Sequence, residues 1–408
     1  MDPYFSEIGR TVLERWKRAD FSLPAFPGIA RVAMEERPPA KWVDLSKLTR
    51  NFLLEEDQPF QSSSGFGQPE LILFDHPKFY IQLLFWLDGT TDIHQHEFSG
   101  AFHVLSGSSI HSRFEFNDRL PVTGCFQVGN LELTQTDLLE TGATVEIVSG
   151  RGCIHSLFHL ETPSVTVVIR THSDPGTGPQ FTYLPPHIAL DPVQNDALTI
   201  RRKQLLDVLE RTGDPTYLDL VKEMVADLDF ERGFFILQNC IGHLRELEAW
   251  DEVWAIFAQK HGSLADSVAS TLREIIRRDQ IVAMRGSIED VDHRFFLALL
   301  LNVQNRAAIL SMVGQRYPGE AMDTIMGWAE ELTQFTETGT WIIDAQSPEI
   351  LSLTEDDSLF LAVLGVLLKG ADLTGTMRKL SAEDIQAMRD AFAQSSWQAL
   401  ILREKAKP

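Results

Sequence analysis

Two histidines on alternate residues are the feature of this sequence that most restricts its fold. His94 and His96 lie in a run rich in Val, Leu and Phe, bounded by Gly89 and Gly107. Alternate side chains of a β-strand lie on the same face, so both imidazoles can reach one ion. Further along the chain, a glycine turn precedes His155 and another β-branched run. The sequence therefore predicts strands that bring three histidines to one metal ion.

The periodicity of the apolar residues changes along the chain. From about residue 70 to 171, short β-branched and aromatic runs alternate with Gly, Asp and Asn, which is typical of a small antiparallel barrel or jelly roll. Apolar residues at helical spacing dominate after the Pro- and Gly-rich stretch that ends near residue 192. We therefore expect an α+β multidomain protein, with a leading helix and wrapping arm in 1–69, a barrel in 70–190 and an all-helical domain in 197–408.

The two larger parts are expected to behave as separate folding units, because the pattern changes from period two to helical across the join. The helical part looks like stacked helix pairs, a form that often binds a protein partner or forms a homodimer. No repeat period is clear enough to assign this part to a repeat family.

Composition narrows the function classes. The 408 residues carry a net charge of -22, which argues against nucleic-acid and anionic-membrane partners, since these need clustered Lys and Arg. The three cysteines, Cys125, Cys153 and Cys240, are too scattered for a disulfide framework or a thiolate metal site. The start of the chain lacks a secretion signal, and no stretch of about 18 apolar residues occurs. We expect a cytoplasmic protein that does not span a membrane.

The first histidine stretch resembles the first motif of the cupin superfamily, Gly-x(5)-His-x-His-x(3,4)-Glu-x(6)-Gly. His94 and His96 stand in the histidine places and Gly107 at the final glycine, whereas Gly89 is one residue closer than the motif asks. The glutamate that usually supplies a fourth ligand falls on Gly100. The resemblance therefore implies a metal centre with three histidine ligands from the protein.

The second stretch resembles the second cupin motif, Pro-x-Gly-x-x-His-x(3)-Asn. Gly152 and His155 are in place, while Gly150 stands where proline is usual and His159 where asparagine is usual. The resemblance covers roughly residues 70 to 175 and implies a double-stranded β-helix, or jelly-roll, barrel. By strand parity His159 shares a face with His155, as a donor behind the ligands or as an ordinary core histidine.

In lacking this glutamate, the sequence resembles cysteine dioxygenase and related thiol dioxygenases, which hold iron(II) with three neutral histidines. The segment from Lys78 through Trp86 to His96 shares Lys-Phe, Trp, Gly and Ile-His-x-His with them in similar order. The resemblance implies iron(II) as the cofactor and dioxygen as a co-substrate. Imidazole also suits zinc, nickel and copper, so the ligands alone do not choose the metal.

The substrate residues of the thiol dioxygenases are only partly present. Their Ser-x-His-x-Tyr stretch falls on Thr166, Val168 and Arg170, so the catalytic tyrosine and its histidine are missing. No arginine stands upstream where those enzymes clamp the cysteine carboxylate. Arg170 is a candidate clamp for an anionic group, provided that its side chain points inward; otherwise it pairs with a surface carboxylate.

Strand parity supplies two weaker candidates for orienting a substrate. Tyr80 and Gln82 share a face with Leu84 and Trp86, whose counterparts line the pocket in the thiol dioxygenases. Ordinary packing within a half-buried strand explains the same pattern. Glu97 has the opposite parity to the paired histidines and is not expected to be a ligand, and the parity of His103 indicates a structural role.

The favoured function is a non-haem iron(II) oxygenase that acts on a small anionic or thiol-bearing substrate, with His94, His96 and His155 as ligands. Similar cupins catalyse isomerase or lyase reactions with a divalent metal and no oxygen, which is the second hypothesis. In the third, the barrel is a ligand-binding sensor whose helical part contacts another protein.

Overall fold

The computed structural model describes residues 3–61, 66–87, 91–193, 196–303, 305–334 and 357–369, positions 381, 383, 386, 389 and 392, and residues 395–401. Its strands lie between residues 70 and 190. The alternating pattern predicts those up to about residue 171, and the last two short strands lie beyond that pattern. Gly89 lies outside the described residues. The strands are β1 (Glu70–His76), β2 (Phe79–Trp86), β3 (Ile93–His96), β4 (Gly100–Ser106), β5 (Ser109–Pro121), β6 (Phe126–Leu139), β7 (Thr144–Ile147), β8 (Gly150–His159), β9 (Ser164–Thr171), β10 (Thr182–Leu184) and β11 (Ile188–Leu190).

The strands form two antiparallel sheets. One has five strands in the order β1-β2-β9-β4-β7, and the other closes into a barrel in the order β10-β11-β6-β5-β8-β3. Apolar side chains of both sheets pack together: Trp86 and Phe102 of the first sheet contact the same cluster as Leu139 and Leu157 of the second. The expected β-barrel region is therefore present, with its core between the sheets.

Strand β9 shows how one sheet serves two cores. Val165, Val167 and Ile169 face the N-terminal helices and pack with them in one cluster. Thr166 and Val168 have the other parity and face the space between the sheets. Because side chains alternate along a strand, the residue types of β9 divide the sheet into an outer face under helices and an inner face around the predicted metal site.

The N-terminal segment is helical where the sequence predicts a wrapping arm. The prolines are compatible with these helices, because Pro24, Pro27 and Pro39 all stand in the first turn of a helix, where no N–H is needed. These helices cover the outer face of the five-stranded sheet. The elements are α1 (Pro3–Arg18), a 3₁₀ turn (Leu23–Ala25), α2 (Phe26–Glu36), α3 (Pro39–Trp42) and α4 (Leu45–Leu54).

The described residues after 196 are mostly helical. Several of its helices begin at an Asp or Asn whose side chain accepts backbone N–H groups of the first turn, as Asp229 and Asp290 do. None of the described helices combines the length and the apolar character needed to cross a membrane. The helices are α5 (Ala197–Thr212), α6 (Tyr217–Asp227), α7 (Phe230–Glu246), α8 (Trp250–His261), α9 (Leu264–Ser287), α10 (Val291–Asn302), α11 (Arg306–Arg316), α12 (Ala321–Gln334), α13 (Asp357–Leu368) and α14 (Gln398–Ile401).

The barrel and the helices share hydrophobic cores. Phe126 and Ile188 of the barrel belong to a cluster with α5 to α9, and Phe158 belongs to another with α9 to α14. A buried arginine of α9, Arg285, also donates from Nη2 to the backbone oxygen of His159 at 2.6 Å. The change from strand to helix falls between β11 and α5. The sequence predicts that the two parts fold independently, whereas the shared cores lead us to expect one unfolding transition.

Candidate metal centre

Three buried histidines meet between the sheets. His94 and His96 lie on alternate residues of β3, and His155 lies on β8, which pairs with β3 so that His94 stands opposite His155. One nitrogen from each ring lies within 4.8 Å of the other two, and the Nε2 atoms of His96 and His155 are 2.8 Å apart. Strand alternation and one antiparallel pairing therefore assemble the predicted three-histidine cluster.

The hydrogen bond of the His94 ring leaves its other nitrogen able to bind a cation. Nδ1 of His94 lies 2.7 Å from the backbone oxygen of Asp92, and because a carbonyl only accepts, Nδ1 carries the proton. Nε2 of this ring then presents a lone pair, and it has no hydrogen-bond partner among the described residues although it is buried. Burial lowers the pKa of His94 and holds the pKa values of His96 and His155 well below the ordinary range, which favours neutral ligands.

A fourth histidine orients the third ligand. Nε2 of His111 lies 2.9 Å from Nδ1 of His155. For His155 to offer Nε2 to a metal, its Nδ1 must carry the proton and donate it to His111. Burial lowers the pKa of His111 to about 3, so this ring is neutral and accepts. No sequence motif includes His111, so its role was not predicted; the pairing of β5 with β8 brings it to the site.

Position 100 leaves no space for a fourth ligand. A Cβ atom added to Gly100 would lie 2.1 Å from the backbone oxygen of Ile169 and 2.9 Å from Cα of Arg170. The close approach of β4 and β9 therefore excludes every side chain here, including the glutamate usual at this place. Glu97 is exposed to solvent, which agrees with its predicted orientation away from the cluster.

The histidines open onto a narrow chamber between the sheets, which we call the inner chamber. Its volume is about 40 Å³. Gln82 is an amide in this largely apolar wall: it is 1% exposed, and its Oε1 atom has no hydrogen-bond partner among the described residues. The inner chamber is lined by Phe66, Gln82, Leu84, Trp86, Thr91, His94, His96, Phe98, Phe102, Ile147, His155, Leu157, Thr166 and Val168.

A wider space of about 240 Å³, the mouth, adjoins the inner chamber and shares His96 with it. Arg170 and Tyr80 line the mouth, and Arg170 shares parity on β9 with Thr166 and Val168 of the chamber wall, so its side chain lies on the inward face of the strand. The guanidinium carbon lies 3.3 Å from the centroid of the Phe98 ring and 5.1 Å from that of Tyr80. The described residues of the mouth are Phe66, Glu70, Tyr80, His96, Phe98, Arg170 and Gln180.

Two further histidines lie apart from the cluster. His159 stacks on Trp86 at 4.7 Å, and its Nδ1 contacts the Ser109 hydroxyl at 2.8 Å, so it supports the chamber wall rather than a ligand ring. Nε2 of His103 accepts the Ala40 backbone N–H and Nδ1 therefore donates to the Thr144 hydroxyl, on the face toward the N-terminal helices. The structural role predicted for His103 agrees with these contacts.

Two solved structures are similar to parts of this chain. No family model and no curated protein matches the sequence. One similar solved structure is the capsular polysaccharide assembling protein CapF from Staphylococcus aureus, at 17% identity and a TM-score of 0.22; the match covers 31% of this chain and 32% of that one, so this chain spans about a third of its length. Another is the DMSP lyase DddQ from Ruegeria pomeroyi DSS-3, at 15% identity and a TM-score of 0.24, covering 45% of this chain and 98% of that one.

Proposed function

We propose that this protein is a metal-dependent enzyme, and specifically a non-haem iron(II) oxygenase that acts on a small anionic or thiol-bearing substrate. One observation carries the proposal: three buried, neutral histidines present their nitrogens to one point, without a carboxylate, beside an inward-pointing arginine. When bound, iron(II) would supply the site that takes up dioxygen and the electrons that reduce it. His94, His96 and His155 would hold it.

The charge of the site favours an anionic substrate. Neutral imidazoles leave the double positive charge of a divalent ion uncompensated, and Arg170 adds a further positive charge at the mouth. Two of the five N–H donors of Arg170 are used, since Nε donates to the backbone oxygen of Thr171 and Nη2 to that of His172. The remaining donors can bind a carboxylate at the mouth.

The walls of the inner chamber restrict which chemical groups of a substrate can lie there. The apolar walls exclude water and accept a hydrocarbon or sulfur-containing group, while the unpartnered Oε1 of Gln82 accepts a hydrogen bond from a hydroxyl or amino group. Thr166 and Val168 line the chamber where the thiol dioxygenases carry other residues of their catalytic stretch. Cysteine is therefore not the substrate that these walls favour.

Metal analysis and oxygen uptake test the proposal. Protein purified without oxygen should retain iron, and it should consume oxygen in the presence of a member of a panel of small carboxylates and thiols. Turnover with zinc or nickel in the absence of oxygen would instead support the isomerase or lyase hypothesis. Binding of a ligand without any product would support the sensor hypothesis.

The variant Arg170→Met tests the role of the mouth. Loss of a charged hydrogen-bonding partner should weaken substrate binding by about 1.5 to 3 kcal/mol, which raises KM roughly 10- to 150-fold while metal content stays the same. Arg50→Met is a matched control because Arg50 is exposed on α4 and lies outside the site. An unchanged KM in Arg170→Met would contradict the assignment and leave Gln82 and Tyr80 as the polar contacts.

A further inference from the structure

A second cleft on the barrel carries three arginines. Arg31 of α2, Arg113 of β5 and Arg151 of β8 line this space, which has a volume of about 460 Å³ and which we call the arginine cleft. None of the residues that line it lines the inner chamber or the mouth. A space of this size lies within the usual range for small-molecule sites.

The three arginines differ in how their charge is balanced. Arg31 is neutralised, because its Nε donates to Glu146 at 2.7 Å and its Nη1 donates to Glu35 at 2.8 Å. In the part of the chain that the structure describes, the side chains of Arg113 and Arg151 make no hydrogen bond and no ion pair. The chain has 58 acidic and only 36 basic residues, so acidic partners are abundant, and two unpaired arginines in one cleft are therefore informative.

Arg113 carries the stronger signal of the two. Its Nε atom is shielded from solvent, yet no described residue accepts a hydrogen bond from it. A buried N–H without an acceptor costs free energy that an acceptor oxygen in the cleft would recover. The backbone of Arg113 pairs with His155 in the ladder between β5 and β8, so the side chain is held at a fixed place on a rigid strand.

The other groups of the cleft do not supply this acceptor. Glu146 is engaged by Arg31, and Glu115 is exposed and forms no bond with Arg113 or Arg151 among the described residues. Cys153 also lines the cleft, and burial raises the pKa of its thiol to about 11, so it stays neutral and does not compensate the guanidinium charge.

We propose that the arginine cleft is a binding site for a small anion with a phosphate or carboxylate group, held by Arg113 and Arg151. Guanidinium binds both groups bidentately, and the two arginines line the same cleft, Arg113 from β5 and Arg151 from β8. The inference does not depend on the oxygenase proposal, because anion binding here requires neither the metal nor Arg170.

Isothermal titration of the full-length protein with inorganic phosphate and, separately, with succinate tests the site and distinguishes the two anion chemistries. We expect Arg113→Met to weaken binding of the preferred anion about tenfold or more, and the exposed Arg151→Met to weaken it about threefold. Arg50→Met should bind the anion as the unaltered protein does, and Arg170→Met detects any anion that binds at the mouth instead. Arg113→Lys, which keeps the charge but loses the fork, should fall between the unaltered protein and Arg113→Met.

Three outcomes would overturn the proposal. The first is the absence of binding of either anion to the unaltered protein at millimolar concentration. The second is unchanged affinity in Arg113→Met or, if that variant does not fold, in Arg151→Met. The third is loss of binding in Arg170→Met alone, which would place the anion at the mouth of the metal site.

Discussion

Replacement of His111 by phenylalanine is expected to weaken metal binding while the barrel stays folded. His111 touches no predicted metal position; it accepts the Nδ1 proton of His155 at 2.9 Å, and this contact leaves Nε2 of His155 free to act as a ligand. Phenylalanine keeps a ring of similar size at a fully buried position but removes the acceptor. His155 then loses the partner that sets both its tautomer and its ring orientation.

The size of the effect follows from the contact that is lost. Removal of a hydrogen-bond partner behind a metal ligand usually lowers metal affinity about 10- to 100-fold, or about 1.4 to 2.8 kcal/mol. His111→Gln retains an amide oxygen that can accept the same proton, so we expect it to recover most of the affinity. A purely structural role for His111 would not distinguish phenylalanine from glutamine in this way.

Competition between the protein and a chromophoric chelator for Zn²⁺ measures these affinities, because zinc suits imidazole ligands and is not oxidised in air. His103→Phe is the matched control: His103 is also fully buried in a strand, but it contacts Thr144 rather than a ligand. The control should lose stability without losing affinity for Zn²⁺. Equal Zn²⁺ affinity of His111→Phe and the unaltered protein would refute the positioning role.

Three further predictions concern stability. Gly100→Ala should lower the free energy of unfolding in urea by about 3 kcal/mol or more, because its Cβ would lie 2.1 Å from a backbone oxygen. The control Gly124→Ala has open space and should change it by less than about 0.5 kcal/mol; similar losses in both variants would contradict the close approach of β4 and β9. Burial lowers the pKa of His103 from 6.5 to about 4, so between these pH values the unfolded chain binds a proton that the folded protein does not, and the free energy of unfolding falls as the pH drops from 6.5 toward 4. His103→Gln should reduce the slope of the free energy of unfolding against pH by up to one proton, whereas an unchanged slope would contradict the buried neutral ring. A fragment of residues 1–193 should aggregate and the full chain should unfold in one calorimetric transition, because the barrel and helices share cores; a soluble, folded fragment would support independent domains instead.

Much of the site could be predicted from alternation along single strands. The two-residue spacing of His94 and His96 requires only that the segment be extended, and it is. The same rule groups Gln82 with Leu84 and Trp86, and the structure places all three on the chamber wall. Predictions of this kind succeed because the side-chain period of a strand does not depend on what the strand pairs with.

Features that depend on pairing between strands could not be read in advance. His111 reaches His155 only because β5 pairs with β8 in one particular register, and β5 is also interrupted by irregularities along β6. The direction of Arg170 stayed open because a turn between His155 and β9 can reset the parity. The burial of Phe158 under helices from the far end of the chain likewise has no local signal.

Gly100 restricts which substitutions could add a metal ligand to this barrel during evolution. One substitution could add a carboxylate to a three-histidine site only where the backbone has room for the new side chain. At position 100, β9 occupies that space. Any route to a fourth ligand must begin elsewhere on the chamber wall, and Gln82, with its oxygen already buried and unpartnered, is one amide-to-acid exchange from a carboxylate. The close contact of β4 and β9 thus excludes a carboxylate ligand at position 100, whereas Gln82 offers a place on the chamber wall where one could be added.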